Sequence, residues 1–168
     1  MRRSGRASWL ALAAATLLAA SGCYGFAGGG LPRHIRTAAV VPFDNNTPIA
    51  ELPLEVTTAI REGLERRLGL RGAPEDRAHA IVRGTIVQYD ADVPVAYSAD
   101  PSQATSARRL LAIVVDVEIV DSQASEVLFA RKGVRGEAEY SEGGETQGRR
   151  RAIENIVSDV INGAQSQW

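Results

Sequence analysis

The sequence predicts an α+β fold, a two-layer sandwich with two helices packed on one face of a four-stranded mixed sheet, in the order β-α-β-β-β-α. Three observations lead there. Two stretches repeat apolar residues every three to four positions, and four others are short apolar runs or alternate apolar with polar. The two helices each carry one apolar stripe, and the four strands together give the sheet one strongly apolar face. A striped helix and a one-sided sheet bury those surfaces most economically against each other, which gives two layers.

Residues 36–43 (RTAAVVPF) form an apolar run closed by Asp44-Asn45-Asn46-Thr47-Pro48, a strand followed by a turn. Pro42 has no N–H to donate, so it belongs at a strand end or an edge. Residues 51–68 read as a helix starting near Leu52, because Pro53 is tolerated only in a first turn. Val56, Ile60, Leu64 and Leu68 make one stripe, Glu62 and Arg66 make an i,i+4 pair, and Gly69 can end the helix.

Residues 78–89 alternate, with Ala80, Val82, Gly84 and Ile86 on one face and Ile81, Arg83, Thr85, Val87 and Tyr89 on the other. Gly84 is expected to leave room for a helix. Residues 90–106 turn polar around Pro94 and Pro101 and read as a long connection, of the kind that often carries function. The third strand, residues 109–121, places Leu111, Ile113, Val115, Val117 and Ile119 on one face, with Asp116 and Glu118 opposite. A hairpin turn over 122–125 leads into a fourth strand over 126–140, whose later half is expected to fray into charge and glycine. Residues 146–165 close the fold as a helix with the stripe Ile153, Ile156, Val157, Val160 and Ala164.

Ahead of this body, Arg2, Arg3 and Arg6 precede the apolar residues 9–20, and Ala20-Ser21-Gly22 runs into Cys23, the sole cysteine. Twelve apolar residues are too few for a membrane span, which takes roughly 20, but they suit a secretory signal. Small residues abutting a cysteine match a lipobox, with Ala20 at its first position. The thiol of Cys23 is the expected lipid-attachment site, taking a diacylglycerol, with cleavage after Gly22 and acylation of the new amino group. No other cofactor is expected. A single cysteine cannot form an internal disulfide. The expected organisation is a signal peptide over 1–22, a glycine-rich lipid-anchored tether over 23–34, and a single domain over 35–168. Tyr24 is not the Asp that often retains lipoproteins in the inner membrane, so the expected place is the periplasmic face of the outer membrane.

Removing the signal takes three of nineteen basic residues, leaving sixteen against twenty acids. A mildly acidic, aromatic-poor body gives no case for nucleic acid. Enzymatic chemistry is also unsupported. His34 and His79 are well separated and read as surface or packing residues. Asp90, Asp92 and Asp100, and Glu137, Glu139, Glu142 and Glu145, read as solvated acids. There is no nucleophile motif, zinc motif or phosphate loop, and no metal site is expected. Arg108 and Arg109 before the third strand, with Arg131, Lys132 and Arg135 along the fourth, form basic clusters. A hairpin about 122–125 would place Arg109 at the same end as Arg135 or beyond. Such an end suits phosphate-bearing headgroups; alternatively these residues only blunt a sheet edge. The Arg149-Arg150-Arg151 run reads as a solvated face, with an acidic partner as the alternative.

Cys23-Tyr24-Gly25-Phe26, the glycines and Leu31-Pro32 that follow, His34-Ile35-Arg36-Thr37, Val41-Pro42-Phe43-Asp44-Asn45-Asn46-Thr47, the 80–86 strand and the final helix ending at Trp168 together resemble the LptE family of lipopolysaccharide-assembly lipoproteins. The usual Cys-Gly-Tyr/Trp start is transposed here as Tyr24-Gly25. The resemblance implies a two-helix, four-stranded sandwich seated as a plug in the outer-membrane β-barrel LptD. It implies help with that barrel's assembly and with lipopolysaccharide delivery, and contact with lipopolysaccharide through basic residues. Arg108, Arg109, Arg131, Lys132 and Arg135 take that role from charge alone. The run Val-Val-Pro-Phe-Asp-Asn, then a helix and a Gly-Thr-Ile strand, also resembles penicillin-binding-protein activators of the LpoB type, regulators of cell-wall synthesis, and related folds occur in curli-secretion lipoproteins. An activator usually carries a long linker, whereas only about ten residues separate Cys23 from the first strand.

Overall fold

Pro42 splits the first strand in two. In a computed structural model, which describes residues 31–94 and 109–166, β1 (Thr37–Val40) and β2 (Asp44–Asn45) lie on either side of it. Both pieces pair in parallel with one long strand, β4 (Ala80–Pro94). The N–H of Phe43 leaves the ladder at the break and donates to Thr57 Oγ1 at 3.2 Å. The Phe43 ring turns inward (3% exposed) and fills the space beside Gly84. Gly84 therefore makes room for an aromatic ring and for the Asp116 carbonyl, not for a helix as expected.

Helix α1 (Leu52–Leu68) has Pro53 in its first turn and ends at Gly69, whose φ of 66° is the left-handed cap conformation. Leu52, Val56, Ile60 and Leu64 are buried along one side. The chain then doubles back as the two-residue β3 (Arg71–Gly72) beside β1, and a 3₁₀ turn (Glu75–Arg77) returns it to β4. β4, β5 (Arg109–Asp121) and β6 (Val127–Tyr140) form an antiparallel meander. One mixed sheet results, in the order β3-β1-β4-β5-β6 with β2 also on β4. The sheet has six strands where four were expected, because Pro42 divides one and the post-helix turn adds another. The α+β class stands.

Helix α2 (Glu145–Ser166) lies beside α1 on the same sheet face, and Ile153, Ile156, Val160, Ile161 and Ala164 meet the sheet and α1. Contact is close where side chains are absent. A Cβ at Gly136 would overlap the Ala152 carbonyl, and one at Gly63 would overlap Val157. The β5 residues Leu111, Ile113, Val115, Val117 and Ile119 are all buried beneath the helices. The opposite face of the sheet is covered by no helix among the described residues. No described helix is long and apolar enough to cross a membrane.

Two strands run further than the sequence pattern indicates. β4 continues past Tyr89, with Val93 opposite Leu110 and Pro94 opposite Arg109, so residues 90–94 are strand and not connection. β6 stays paired to Tyr140, opposite Arg109, and does not fray. Its glycines have separate duties: Gly136 receives α2, and Gly133 (φ 68°) forms a bulge facing Asp116.

Candidate functional site

The strand register decides which basic residues meet. Arg109 stands opposite Tyr140, on the face that packs against α2. Arg135 stands opposite Val114 on the uncovered face, five registers further along and about 17 Å away. The two therefore sit on opposite faces of the sheet and do not converge at one end. Arg135 instead makes an ion pair with Glu137, both about half exposed. A pair in that setting is worth only about 0.2–1 kcal/mol.

Arg131 and Lys132 do come together, on the strand entering the Gly133 bulge. They line a shallow depression of the uncovered face with Arg83, Asp116, Glu118 and Asp44. The Gly133 N–H donates to Asp116 Oδ1 at 2.8 Å, so that carboxylate holds the bulge in place. The depression thus mixes charges, with two cations at its β6 rim. Arg108 lies outside the described residues, as do Cys23, Tyr24, Asp100 and the 95–106 part of the expected connection.

A polar network that the sequence pattern does not reveal crosses the layers. A bulge at Val87 shifts the β4 register by one residue and turns Tyr89 from the outer face to the helix face, opposite Ile113. There its hydroxyl donates to Glu145 Oε1 at 2.6 Å. Arg149, one helical turn along α2, grips Glu55 of α1 with Nε at 3.0 Å and Nη2 at 3.1 Å. Arg149 is 15% exposed, so the expectation of a solvated face fails for this member of the run. Burial, then the bond to Glu145, pushes the Tyr89 hydroxyl up to about 12. Burial works against the Arg149 charge, but bonds to Tyr89 and Glu55 outweigh it and raise its pKa.

Tyr89 sets an alkaline limit. Its folded pKa lies above the unfolded value of about 10, so its contribution is full below pH ~10 and is lost as pH rises toward 12. One tyrosine is therefore expected to ionise near pH 12 in an ultraviolet titration, and Tyr89→Phe is expected to remove that step. An unchanged titration in the variant would disprove the assignment.

Both histidines serve the end where the chain enters the fold. His34 Nε2 lies 2.5 Å from Asp121 Oδ2, and Asp121 Oδ1 accepts the N–H groups of Gln123 (2.8 Å) and Ala124 (3.1 Å). The His34 bond first, then the two amides, hold the Asp121 carboxyl below the usual range. His79 Nδ1 accepts the Arg36 N–H at 3.3 Å, and the Ser122 N–H donates to the His79 carbonyl at 2.9 Å. Among the described residues no group of three His, Cys, Asp or Glu is placed to hold a metal.

The solved PelC dodecamer from Paraburkholderia phytofirmans is similar at 15% identity and a TM-score of 0.53, over 83% of this chain and 94% of that one. Protein XCC0632 from Xanthomonas campestris is similar at 7% identity and a TM-score of 0.54, over 82% and 87%. A hypothetical protein from Chlamydia trachomatis gives 12%, 0.51, and 76% and 96%. Likeness at these identities is one of fold. No curated protein matches the sequence. The model of the LptE family, described as lipopolysaccharide-assembly, matches residues 35–163, which is nearly the whole sandwich from the buried Ile35 to the last turns of α2. By that match the chain belongs to the LptE lipopolysaccharide-assembly family.

Proposed function

We propose that the protein is an outer-membrane lipoprotein, anchored through acylated Cys23 on the periplasmic face. In this reading it seats in an LptD-type β-barrel, assists that barrel's assembly and supports lipopolysaccharide delivery to the cell surface. The observation that carries the reading is the family match across residues 35–163. Two features support it. The sheet has one face that no described helix covers, open to a partner wall. Ile35, the first buried residue among those described, stands only twelve positions after Cys23, which suits a body held close to its membrane. The protein's work in this reading is positioning and contact, with no catalytic step.

Affinity capture of the protein from detergent-solubilised membranes tests this. An outer-membrane β-barrel among the captured proteins is the expected result. A peptidoglycan synthase in its place would overturn the plug reading in favour of a cell-wall regulator.

For lipopolysaccharide phosphates, Arg131 and Lys132 are the neighbouring pair to test, since Arg109 and Arg135 lie on opposite faces of the sheet and Arg108 lies outside the described residues. Charge-assisted contacts contribute about 1.5–3 kcal/mol each, so Arg131→Glu with Lys132→Glu is expected to weaken lipopolysaccharide binding at least about tenfold. Circular dichroism is expected to stay unchanged, because both residues are exposed. Equal affinity in variant and wild type would show that these residues only blunt the strand.

A further inference from the structure

The end of the sandwich at which the chain enters carries a group of arginines unrelated to the β5–β6 cluster. Arg33 lies in the turn closed by the Ile35 N–H to the Pro32 carbonyl at 2.9 Å. Arg36 precedes β1, and its carbonyl accepts the Arg71 N–H at 3.0 Å, with Arg71 in register with the next residue, Thr37, so both arginines stand at the same end of the sheet. Arg67, in the last turn of α1, reaches α2 and bonds Ser158 Oγ at 3.1 Å and Asn162 Oδ1 at 2.8 Å. Both partners are neutral, so neither offsets the positive charge of the guanidinium. All four arginines are exposed. The exposed acids at this end are Glu126 beside the entry turn, Glu65 near Gly72 and Asp159 next to Ser158, while Asp121 is buried against His34. The chain as a whole has a formal charge of −1, so this positive end runs against its overall balance.

We infer that this end is a membrane-facing surface, on which Arg33, Arg36, Arg67 and Arg71 contact the phosphates of an anionic phospholipid leaflet. The inference rests on the lipid-anchor reading above. Cys23 stands eight positions before Leu31, and eight residues span at most about 28 Å. An anchored body therefore presents this end to the leaflet at high effective concentration, where individually weak headgroup contacts become populated. The His34–Asp121 bond and the paired backbones of Arg36 and Arg71 fix the arginines relative to the point where the tether leaves.

The test uses the full lipidated chain on vesicles of phosphatidylcholine, alone or with roughly 30 mol% phosphatidylglycerol, at low ionic strength and at about 0.5 M salt. Arginine accessibility is read site by site, from phenylglyoxal modification and mass spectrometry. On anionic vesicles at low salt, Arg33, Arg36, Arg67 and Arg71 are expected to react about fivefold more slowly than on neutral ones. Arg150 and Arg151, at the other end of α2, are expected to react alike on both. High salt is expected to erase the difference. Equal rates at the four arginines on both vesicles, with the protein still floating on both, would overturn the inference and leave the anchor intact. Failure to float on neutral vesicles would count against the anchor, and flotation on anionic vesicles alone would still support the arginine surface.

Discussion

Ile113→Asp is expected to unfold the domain. Ile113 is fully buried in β5, with Tyr89 of β4 and Gly136 of β6 as register partners and α2 above. The substitution removes an aliphatic burial worth about 1.5–3 kcal/mol and places a carboxylate among hydrocarbon, at a further cost of several kcal/mol. A domain of this size has a total stability of about 5–15 kcal/mol, so the change takes most or all of it. Val115→Asp, two residues along the same buried face, is expected to be equally severe. Glu118→Lys is expected to cost under about 1 kcal/mol, because Glu118 lies on the uncovered face across from Arg83 and Ala130. Thermal and urea unfolding followed by circular dichroism decide the matter. A cooperative, near-wild-type melt for Ile113→Asp would refute the placement of this face in the core.

Cys23→Ser is expected to move the protein from the membrane fraction to the soluble one. Thioether formation needs a sulfur nucleophile, and a serine hydroxyl cannot replace it, so neither the diacylglycerol nor the later N-acyl group is added. Each buried methylene contributes about 0.8 kcal/mol, so losing the acyl chains removes far more binding than any set of surface contacts restores. Residual attachment through the entry-end arginines is electrostatic and is expected to disappear in a high-salt wash. Persistent sedimentation of the variant with washed membranes would show that something other than the lipid holds the protein.

The main elements were legible because their patterns are local. The α1 stripe is set by a four-residue repeat, Pro53 and Gly69 mark its ends, and the Leu111 to Ile119 alternation identifies the buried face of β5. The uncovered face was legible in the same way, since Asp116 and Glu118 interrupt the apolar pattern at alternate positions. Family membership also lay in the residues, through the order of weak motifs and not through any single one.

What the sequence could not determine is register. Strict alternation puts Tyr89 outside, yet one extra residue at Val87 turns it inward to Glu145. That shift brings Tyr89 to Glu145 and Arg149, and through Arg149 to Glu55, linking β4, α2 and α1. A similar bulge at Gly133 brings Arg131 and Lys132 to one depression, while the parity of the β5–β6 pairing sends Arg109 and Arg135 to opposite faces. Side-chain period in a strand is two residues, so a one-residue slip reverses every assignment beyond it, and only the paired partner strand reveals where the slip falls. The residue types on the surface were therefore determined by sequence alone. Which of them share a surface was decided by the tertiary pairing.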